Sequence, residues 1–433
     1  MVESRAFRFY QKVSRFSLIS LPYLNYLSFL GLFVVLVFLS RRFYKIVLQS
    51  QVCLGLLVVS GLMILSSSFA FSKEEAFLQL TNFLPFFIFF AFLRFLLKGS
   101  EKLEQLATDL VITSIPINIV AFVEYLIKSP YIPTQMQRWK FIDWLRSAPH
   151  KERAMVMFEH PNALASYLVL ILGLGLGLIL LQSVRRRDGD RALKGTASHR
   201  PSLPQSTYLP SWLVYAAVYL NLLGIFSSGS RNGILIAISQ LVAFSFFVKA
   251  SRTILVSGLL SLLGVLISAA LVGIGGRAVS LEGLTADPRV GVWQIALELI
   301  WERPLLGWGL GNYKFLYPAR IIDPVYDKIF HPHNFWLLLA SEAGLLVMIS
   351  LTAVIGYICF RAVRSLVTKQ LATGDRPLLL GYLFAFWGCV AFALFDVTFY
   401  DARINVLNWV ILAAIYSFTE SSVAKPIAPS MLC

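Results

Sequence analysis

Long apolar runs separated by short polar segments form the main pattern of the chain. Each run is about as long as an α-helix must be to cross the hydrocarbon core of a bilayer. The runs lie at about 18–40, 46–66, 76–97, 104–127, 160–181, 211–227, 232–249, 253–275, 335–360, 377–396 and 403–419. We therefore predict an all-α, polytopic helical membrane protein with about 11–12 transmembrane helices and a large outer loop that contains short helices.

The composition is typical of a membrane protein and limits the classes of partner that we expect. Of the 433 residues, 57% are hydrophobic and 14% are charged, whereas a soluble globular chain carries about 25% charged residues. The net charge of +15, from 38 basic and 23 acidic residues, is typical of cytoplasmic loops that face anionic lipid. We expect membrane lipids and no nucleic acid as partners, because the chain lacks a soluble basic domain. No cysteine or histidine spacing indicates a zinc site, so we predict no metal.

A hydrophilic segment at 183–210 predicts how the chain is divided. It is rich in Ser, Pro and Gly and carries six basic and two acidic residues, which is typical of a flexible cytoplasmic linker. It would join an N-terminal transmembrane bundle, 1–182, to a C-terminal bundle, 211–433. Counting spans outward from this linker places 276–333 outside the membrane, and we expect this periplasmic segment to be the catalytic loop.

The N-terminus fits this topology in one of two ways. About eleven spans would place its cationic residues outside, although such residues tend to remain in the cytoplasm. Either residues 5–16 form an amphipathic helix at the membrane surface, or the first apolar run contains a second, shorter pass that turns around Pro22.

Polar residues that could carry chemistry concentrate between about 287 and 344. The first part predicts a helix that ends at Pro304. On this helix Arg289 shares the apolar face with Trp293, and an arginine there either extends to lipid headgroups or binds an anion. The glycines at 305–313 predict a tight structural turn.

The last part of this stretch adds two histidines, an amide and a carboxylate. The apolar run should start as a helix near His333, because a proline precedes it. His333 would lie at the membrane surface, where an imidazole can accept a proton, and His331 lies two residues before it. Asn334 could orient a hydroxyl or a ring nitrogen. Glu342 would lie roughly 13 Å deeper along the helix, where a carboxylate needs a partner or has a function.

Two other segments place arginines between apolar runs. Arg231 lies in the short polar turn 227–233, and Arg153 begins a segment, 153–168, that also contains a histidine and an asparagine. Arg231 either extends to headgroups or points into a site. If Arg231 and Arg289 face one cavity, they would suit a pyrophosphate, because guanidinium groups bind phosphate oxygens in pairs.

Four pieces, in this order, resemble the O-antigen ligase and polymerase superfamily, integral-membrane enzymes of bacterial surface-polysaccharide assembly. The pieces are R-x-x-x-x-F-x-H-P-N-A-L-A at 153–165, S-R-N-G at 230–233, R-x-G-x-W through P-L-L-G-W-G-L-G-N-Y at 289–313, and H-N-x9-G at 333–344. The active-site arginines and histidine of the family would fall on Arg231, Arg289 and His333. The ligase pattern often has a second glycine where this chain has Val347, and this departure weakens the choice of ligase over polymerase.

The resemblance implies a glycosyltransferase at the periplasmic face of the bacterial inner membrane. Arg231 and Arg289 would bind the pyrophosphate of a polyprenyl-linked glycan donor, and His333 would take the proton from an acceptor hydroxyl. His331, Asn334, Glu342 and Arg153 would support them. The reaction would invert the anomeric centre and need no metal or cofactor, because the donor already carries its activation in the pyrophosphate.

The acceptor leaves alternatives open. A ligase would use lipid A-core sugar, whereas an O-antigen or exopolysaccharide polymerase would use a second lipid-linked repeat unit. A solute transporter of the bicarbonate type is a third alternative. A transporter would be expected to show inverted repeats and charges near the membrane midplane, whereas polar residues here concentrate at the outer ends of the apolar runs.

Overall fold

Helices form every regular element in the part of the chain that the computed structural model describes. That part comprises residues 5–128, 150, 152–193, 210–247, 289–321, 329–368, 371–372 and 374–423. Its first half contains α1 (Arg5–Ser20), α2 (Asn25–Val47), α3 (Gln51–Ser68), α4 (Lys73–Gln79), α5 (Leu84–Leu93), α6 (Ser100–Thr113), α7 (Ile115–Lys128) and α8 (Pro161–Leu193). Its second half contains α9 (Ser211–Ser227), α10 (Arg231–Phe247), α11 (Arg289–Glu302), α12 (Tyr313–Leu316), α13 (Phe335–Glu342), α14 (Leu345–Val367), α15 (Asp375–Ala393) and α16 (Ala402–Val423). Short 3₁₀-helices lie at Leu80–Asn82, Pro318–Arg320 and Thr398–Tyr400.

Eight helical stretches within the described ranges are long and apolar enough to cross a membrane. They are Asn25–Val47, Gln51–Ser68, Lys73–Leu93, Ser100–Lys128, Pro161–Asp188, Leu345–Val367, Asp375–Ala393 and Ala402–Glu420. The helices α9 and α10 are also apolar but have 17 residues each. The predicted run at 253–275 lies outside the described residues. The prediction of an all-α, multi-pass membrane protein is confirmed.

The N-terminal helices α1 and α2 form an antiparallel hairpin. Aromatic side chains pair along it, with the Phe7 and Phe43 rings 6.3 Å apart. Near the turn, the hydroxyls of Ser20 and Ser28 lie 2.9 Å from each other. The chain reverses between α1 and α2, at the position of Pro22. The 16-residue α1 is not among the described helices that are long and apolar enough to cross a membrane, so the two alternatives for the N-terminus both stay predictions. The hairpin places the basic start of α1 at the same end of the bundle as the end of α2.

The helix α8 lies at the centre of the bundle and crosses α15 at very short distance. A Cβ atom on Gly177 would lie 2.3 Å from the Cα atom of Gly381, and one on Gly173 would lie 2.2 Å from the backbone nitrogen of Ala385. Small residues at such a crossing let two backbones touch, which favours helix association in membranes. The two helices run antiparallel, so the start of α8 and the end of α15 come to the same end of the bundle.

The apolar run at 335–360 is two helices, so the prediction of one span that starts near His333 is wrong. The chain breaks at Gly344, whose φ is +87°, and separates the short α13 from the span α14. A Cβ atom there would lie 2.1 Å from the carbonyl oxygen of Leu305, and the backbone N–H of Leu345 donates to the carbonyl of Pro304 at 2.8 Å. The segment after α11 thus occupies the space that a continuous helix would need.

The end of α8 extends into the predicted linker. The helix continues to Leu193, and 194–209 lies outside the described residues. Arg185 donates to both carboxylate oxygens of Glu104 at 2.5 and 2.7 Å, which ties α8 to the first turns of α6. From Pro161 to Arg185, α8 is about 36 Å long at 1.5 Å per residue, so its two ends lie on opposite sides of a bilayer core.

Candidate active site

A histidine and a buried aspartate form the centre of the candidate site. His333 Nδ1 lies 3.1 Å from Asp396 Oδ1. The Asp396 side chain is 9% exposed, whereas that of His333 is 34% exposed. Because the carboxylate accepts a hydrogen bond from Nδ1–H, the other ring nitrogen, Nε2, has the lone pair. An accessible imidazole held in this tautomer by a buried carboxylate is suited to remove a proton from a substrate.

Asp396 reaches this position through the crossing of α8 and α15. The register set by Gly173 and Ala385, continued by eleven residues toward the same end, places Asn162 opposite Asp396. Asn162 Nδ2 donates to Asp396 Oδ2 at 2.5 Å. The backbone N–H of Val397 donates to Oδ1 at 2.9 Å. Both oxygens of the buried carboxylate are therefore hydrogen-bonded.

Arg153 lies next to Asn162, and its guanidinium group donates hydrogen bonds to other residues of the protein. It is 8% exposed. Its Nη2 donates to Asn162 Oδ1 at 2.9 Å, and its Nε donates to the carbonyl of Ser228 at 3.0 Å. A chain of hydrogen bonds thus runs from Arg153 through Asn162 and Asp396 to His333. Arg153 is thus joined to the pair through the Asn162 side chain.

His331 and His160 accept hydrogen bonds from the backbone beside the pair. The Nδ1 atom of His331 accepts from the N–H of His333 at 3.3 Å, and that of His160 accepts from the N–H of Asn162 at 3.1 Å. Burial lowers the pKa of each of these two histidines to about 4, so both rings are neutral at neutral pH. The short turn between His331 and His333 gives His333 a φ of +50°, a conformation that residues other than glycine seldom adopt.

The ionisation of Asp396 follows from its partners. Burial alone would raise the pKa of this carboxyl. The hydrogen bond and charge of His333, together with the bond from Asn162, outweigh burial and hold the pKa well below its usual range. Asp396 is therefore a carboxylate at neutral pH and favours the imidazolium that His333 would become on taking a proton.

The two arginines expected to bind an anion lie on segments that are bonded to this cluster. Arg231 is the first residue of α10, three residues after Ser228, whose carbonyl accepts from Arg153. Arg289 begins α11. Trp293 Nε1, one turn further on the same face, donates to the carbonyl of Pro332 at 2.8 Å. The Arg289 face of α11 is therefore directed toward the segment that carries His333.

Asn334 has a structural partner for each polar atom of its side chain. Its Oδ1 accepts from the N–H groups of Trp336 and Leu337 at 2.9 and 3.0 Å, which caps α13. Its Nδ2 donates to the carbonyl of Leu394 at 3.1 Å. The residue that sequence analysis expected to orient a substrate group thus joins α13 to the end of α15.

Glu342 organises the glycine-rich turn at 305–313. The side chain is 1% exposed, and its two oxygens accept from the N–H groups of Gly311 and Tyr313 at 2.7 and 3.0 Å. The glycines of the turn have φ values of +65°, +98° and +71°, which side chains other than glycine seldom allow. Burial raises the pKa of Glu342 to about 8, although the two N–H donors act in the opposite direction.

The same cluster contains a donor set that a metal ion could use. The ligand atoms of His331, His333 and Asp396 lie within 4.8 Å of one another, and two imidazoles with one carboxylate are common ligands of divalent metals. In the structure these atoms bind each other and the backbone, so the arrangement is a hydrogen-bonded cluster. The prediction of a metal-independent site stays a prediction.

Sequence analysis did not name Asp396 as a candidate. The available signal was an acidic residue at the last position of the apolar run 377–396, where an ionisable side chain needs a partner. Its partners come from segments more than sixty residues away in the chain, as the 63-residue separation from His333 shows. No local pattern connects them.

Comparison with known proteins identifies the central part of the chain. Residues 216–352 match the family described as O-Antigen ligase. This range includes Arg231, Arg289 and His333, whereas Arg153 and Asp396 lie outside it. No curated protein matches the chain. Over this range the chain is similar to the O-antigen ligase family, and the part of the chain that the structure describes has eight helices that could cross a membrane.

Proposed function

We propose that this protein transfers an oligo- or polysaccharide from a polyprenyl-pyrophosphate donor to an acceptor hydroxyl. The observation that carries the proposal is the His333–Asp396 pair, an accessible imidazole supported by a buried carboxylate. The reaction takes place at the periplasmic face of the bacterial inner membrane. The segment 183–210 supports this side, because it carries six basic residues, begins at the opposite end of α8, and segments of this kind remain in the cytoplasm.

His333 acts as the general base. Its Nε2 takes the proton of the acceptor hydroxyl while the hydroxyl oxygen forms a bond to the anomeric carbon of the donor sugar. The bond between this carbon and the pyrophosphate oxygen breaks, and the electron pair leaves with the pyrophosphate. Asp396 stabilises the imidazolium that results. Attack opposite the leaving group inverts the anomeric centre.

Arg231 and Arg289 bind the donor pyrophosphate. Two guanidinium groups can donate paired hydrogen bonds to phosphate oxygens and compensate the negative charge that develops on the leaving group. The hydrogen bonds that join the Arg231 turn to Arg153, and α11 to Pro332, support this assignment. In this mechanism the arginines stabilise the leaving group, and no metal or cofactor takes part.

The acceptor in the main proposal is the lipid A-core sugar used by ligases. The polymerase alternative, with a second lipid-linked repeat unit as acceptor, is retained because Val347 occupies the position where the ligase pattern often has glycine. Val347 is fully buried in the first turn of α14. Deleting the gene distinguishes a ligase from a polymerase. Loss of all long chains from lipopolysaccharide with accumulation of lipid-linked polymer indicates a ligase, and capping by single repeats indicates a polymerase.

The direct test is the His333→Ala variant, with purified protein and a lipid-linked donor. We expect transfer to fall by about 10²–10⁴-fold, the usual contribution of a general base, with normal membrane insertion. The matched control is His160→Ala, which removes a half-buried histidine beside the same cluster that has no direct contact with substrate in the mechanism. Wild-type transfer by His333→Ala would refute the proposed base.

A further inference from the structure

A polar cavity lies at the end of the bundle far from His333. It has a volume of about 330 Å³ and lies between α1, the start of α6 and the turn that follows α5. Cationic side chains line one wall, namely Arg8, Lys12, Arg15 and Lys102. Leucines form its apolar floor, namely Leu18, Leu96, Leu97 and Leu106, and all four are buried.

The cationic wall comes from two elements in register. Arg8, Lys12 and Arg15 are spaced by four and three residues, so they lie on one face of α1. Lys102 comes from the first turn of α6, and its ammonium group lies 5.9 Å from the centre of the Phe7 ring. The packing of α1 against α6 therefore gathers charges from two separate segments around one space.

The positive charge of this cavity is only partly compensated by the protein. Arg15 forms an ion pair with Asp109, in which Nη2 donates to Oδ1 at 2.8 Å. Arg8 and Lys12 form no ion pair with another residue that the structure describes. None of the described residues that line the cavity is acidic. The cavity is thus suited to an anion.

The location of the cavity indicates where its ligand comes from. Glu104, at the start of α6, pairs with Arg185 at the far end of α8, about 36 Å along that helix from Pro161. Cationic residues continue around the same end of the bundle, namely Arg41, Arg42, Lys45, Lys98, Arg361 and Arg364. An end enriched in lysine and arginine faces the cytoplasm.

The cavity combines two chemical properties that a free inorganic anion would not use. Its charged wall is continuous with a floor of leucines, and the neighbouring surface of α1 exposes Phe9 and Phe16 by 59% and 58%. Exposed aromatic side chains on a helix with a cationic face are typical of a helix that lies against lipid. We propose that this cavity binds the phosphate headgroup of an anionic phospholipid of the cytoplasmic leaflet, with the first carbons of the lipid on the leucine floor. This site is separate from the proposed transfer reaction.

The test uses full-length protein purified in a neutral detergent and titrated with phosphatidylglycerol. Bound lipid is counted by native mass spectrometry. The double variant Arg8→Gln/Lys12→Gln should raise the half-saturating lipid concentration by about tenfold or more, because each cation near an anionic headgroup contributes measurably. The matched control, Arg41→Gln/Lys45→Gln, removes two exposed cations at the same end of the bundle but outside the cavity. It should change the half-saturating lipid concentration by less than about twofold.

Further measurements decide between sources of the anion. Lys102→Gln alters the part of the cationic wall that α6 supplies and should weaken binding by about threefold, which tests the site even if changes in α1 impair folding. Phosphatidylcholine and inorganic phosphate should neither bind nor compete at the same concentrations. Equal losses in the cavity and control variants would show general surface attraction and overturn the proposal. Competition by inorganic phosphate would show a free-anion site and overturn it as well.

Discussion

Two buried carboxyl groups at the same end of the bundle differ in what they bind. Asp396 contacts the side chains of His333 and Asn162. Glu342 contacts the backbone N–H groups of Gly311 and Tyr313. Both are almost fully buried, and both lie near the end of an apolar helix. Their burial alone therefore does not separate a reactive group from a structural one.

The pKa values of the two carboxyl groups differ as well, because their partners differ. Burial would raise the pKa of both carboxyls, but His333 and Asn162 reverse this effect at Asp396 and hold its pKa well below the usual range. At Glu342 burial prevails over two N–H donors and raises the pKa to about 8. A buried carboxylate whose partner is an accessible, titratable side chain can assist proton transfer. One whose partners are backbone groups can hold a turn.

The strongest test of this comparison is Asp396→Asn. We expect the turnover number for sugar transfer to fall by about 10²–10³-fold, because the imidazolium loses its anionic partner and the ring loses the acceptor that selects its tautomer. The pH profile of turnover should shift as well, which a purely structural change would not produce. Glu342→Gln, the matched change in the other carboxylate, should retain most of the activity. Equal loss in both variants would contradict the distinction.

Arg289→Lys tests whether Arg289 binds the pyrophosphate of the donor. Lysine keeps the charge but cannot donate paired hydrogen bonds, so the affinity for the lipid-linked donor should fall by about tenfold. Donor binding to purified protein measures the effect. Arg303→Lys is the control, because Arg303 follows the same helix and its guanidinium lies 4.0 Å from the centre of the Trp308 ring. Wild-type donor affinity in Arg289→Lys would mean that Arg289 extends to headgroups instead.

Asn162→Ala tests the support behind Asp396. The carboxylate would lose one of its hydrogen bonds and Arg153 would lose an acceptor, so we expect turnover to fall by about tenfold. Asn334→Ala is the comparison variant, since Asn334 caps α13 and should cost about 1 kcal/mol of stability with little change in turnover. The opposite pattern, with Asn334→Ala the less active variant, would move the positioning role from Asn162 to Asn334.

The smallest expected effect is a pH dependence of stability from Glu342. Its pKa in the folded protein, about 8, lies above the ordinary value of 4.5. The folded state therefore binds more protons than the unfolded state between these values, and stability falls as the pH rises through this window. Melting temperatures of wild type and Glu342→Gln, compared at about pH 5 and about pH 8.5, should diverge in favour of the variant at the higher pH. Parallel curves would show that Glu342 keeps an ordinary pKa.

The features of the fold that depend on residues close together in the sequence could be predicted. Apolar runs of bilayer length predicted the helical spans, and the charged residues at 153, 231, 289 and 331–333 were singled out by their contrast with apolar surroundings. The break at Gly344 was not predicted, because hydropathy continues through it. The helix ends there since the backbone of Pro304 and Leu305 occupies the adjoining space.

The sequence alone determines which helices can span a membrane and which segments carry Arg231, Arg289 and His333. These features depend on hydropathy and on proline, which act over a few turns of chain. The pairing of His333 with Asp396 is a property of the folded bundle. It requires α8 and α15 to cross at Gly173, Gly177 and Gly381, and this contact brings together residues that no local pattern links. The same through-space packing assigns Glu342 to the glycine-rich turn, because the N–H groups that it binds lie 29 and 31 residues earlier in the chain.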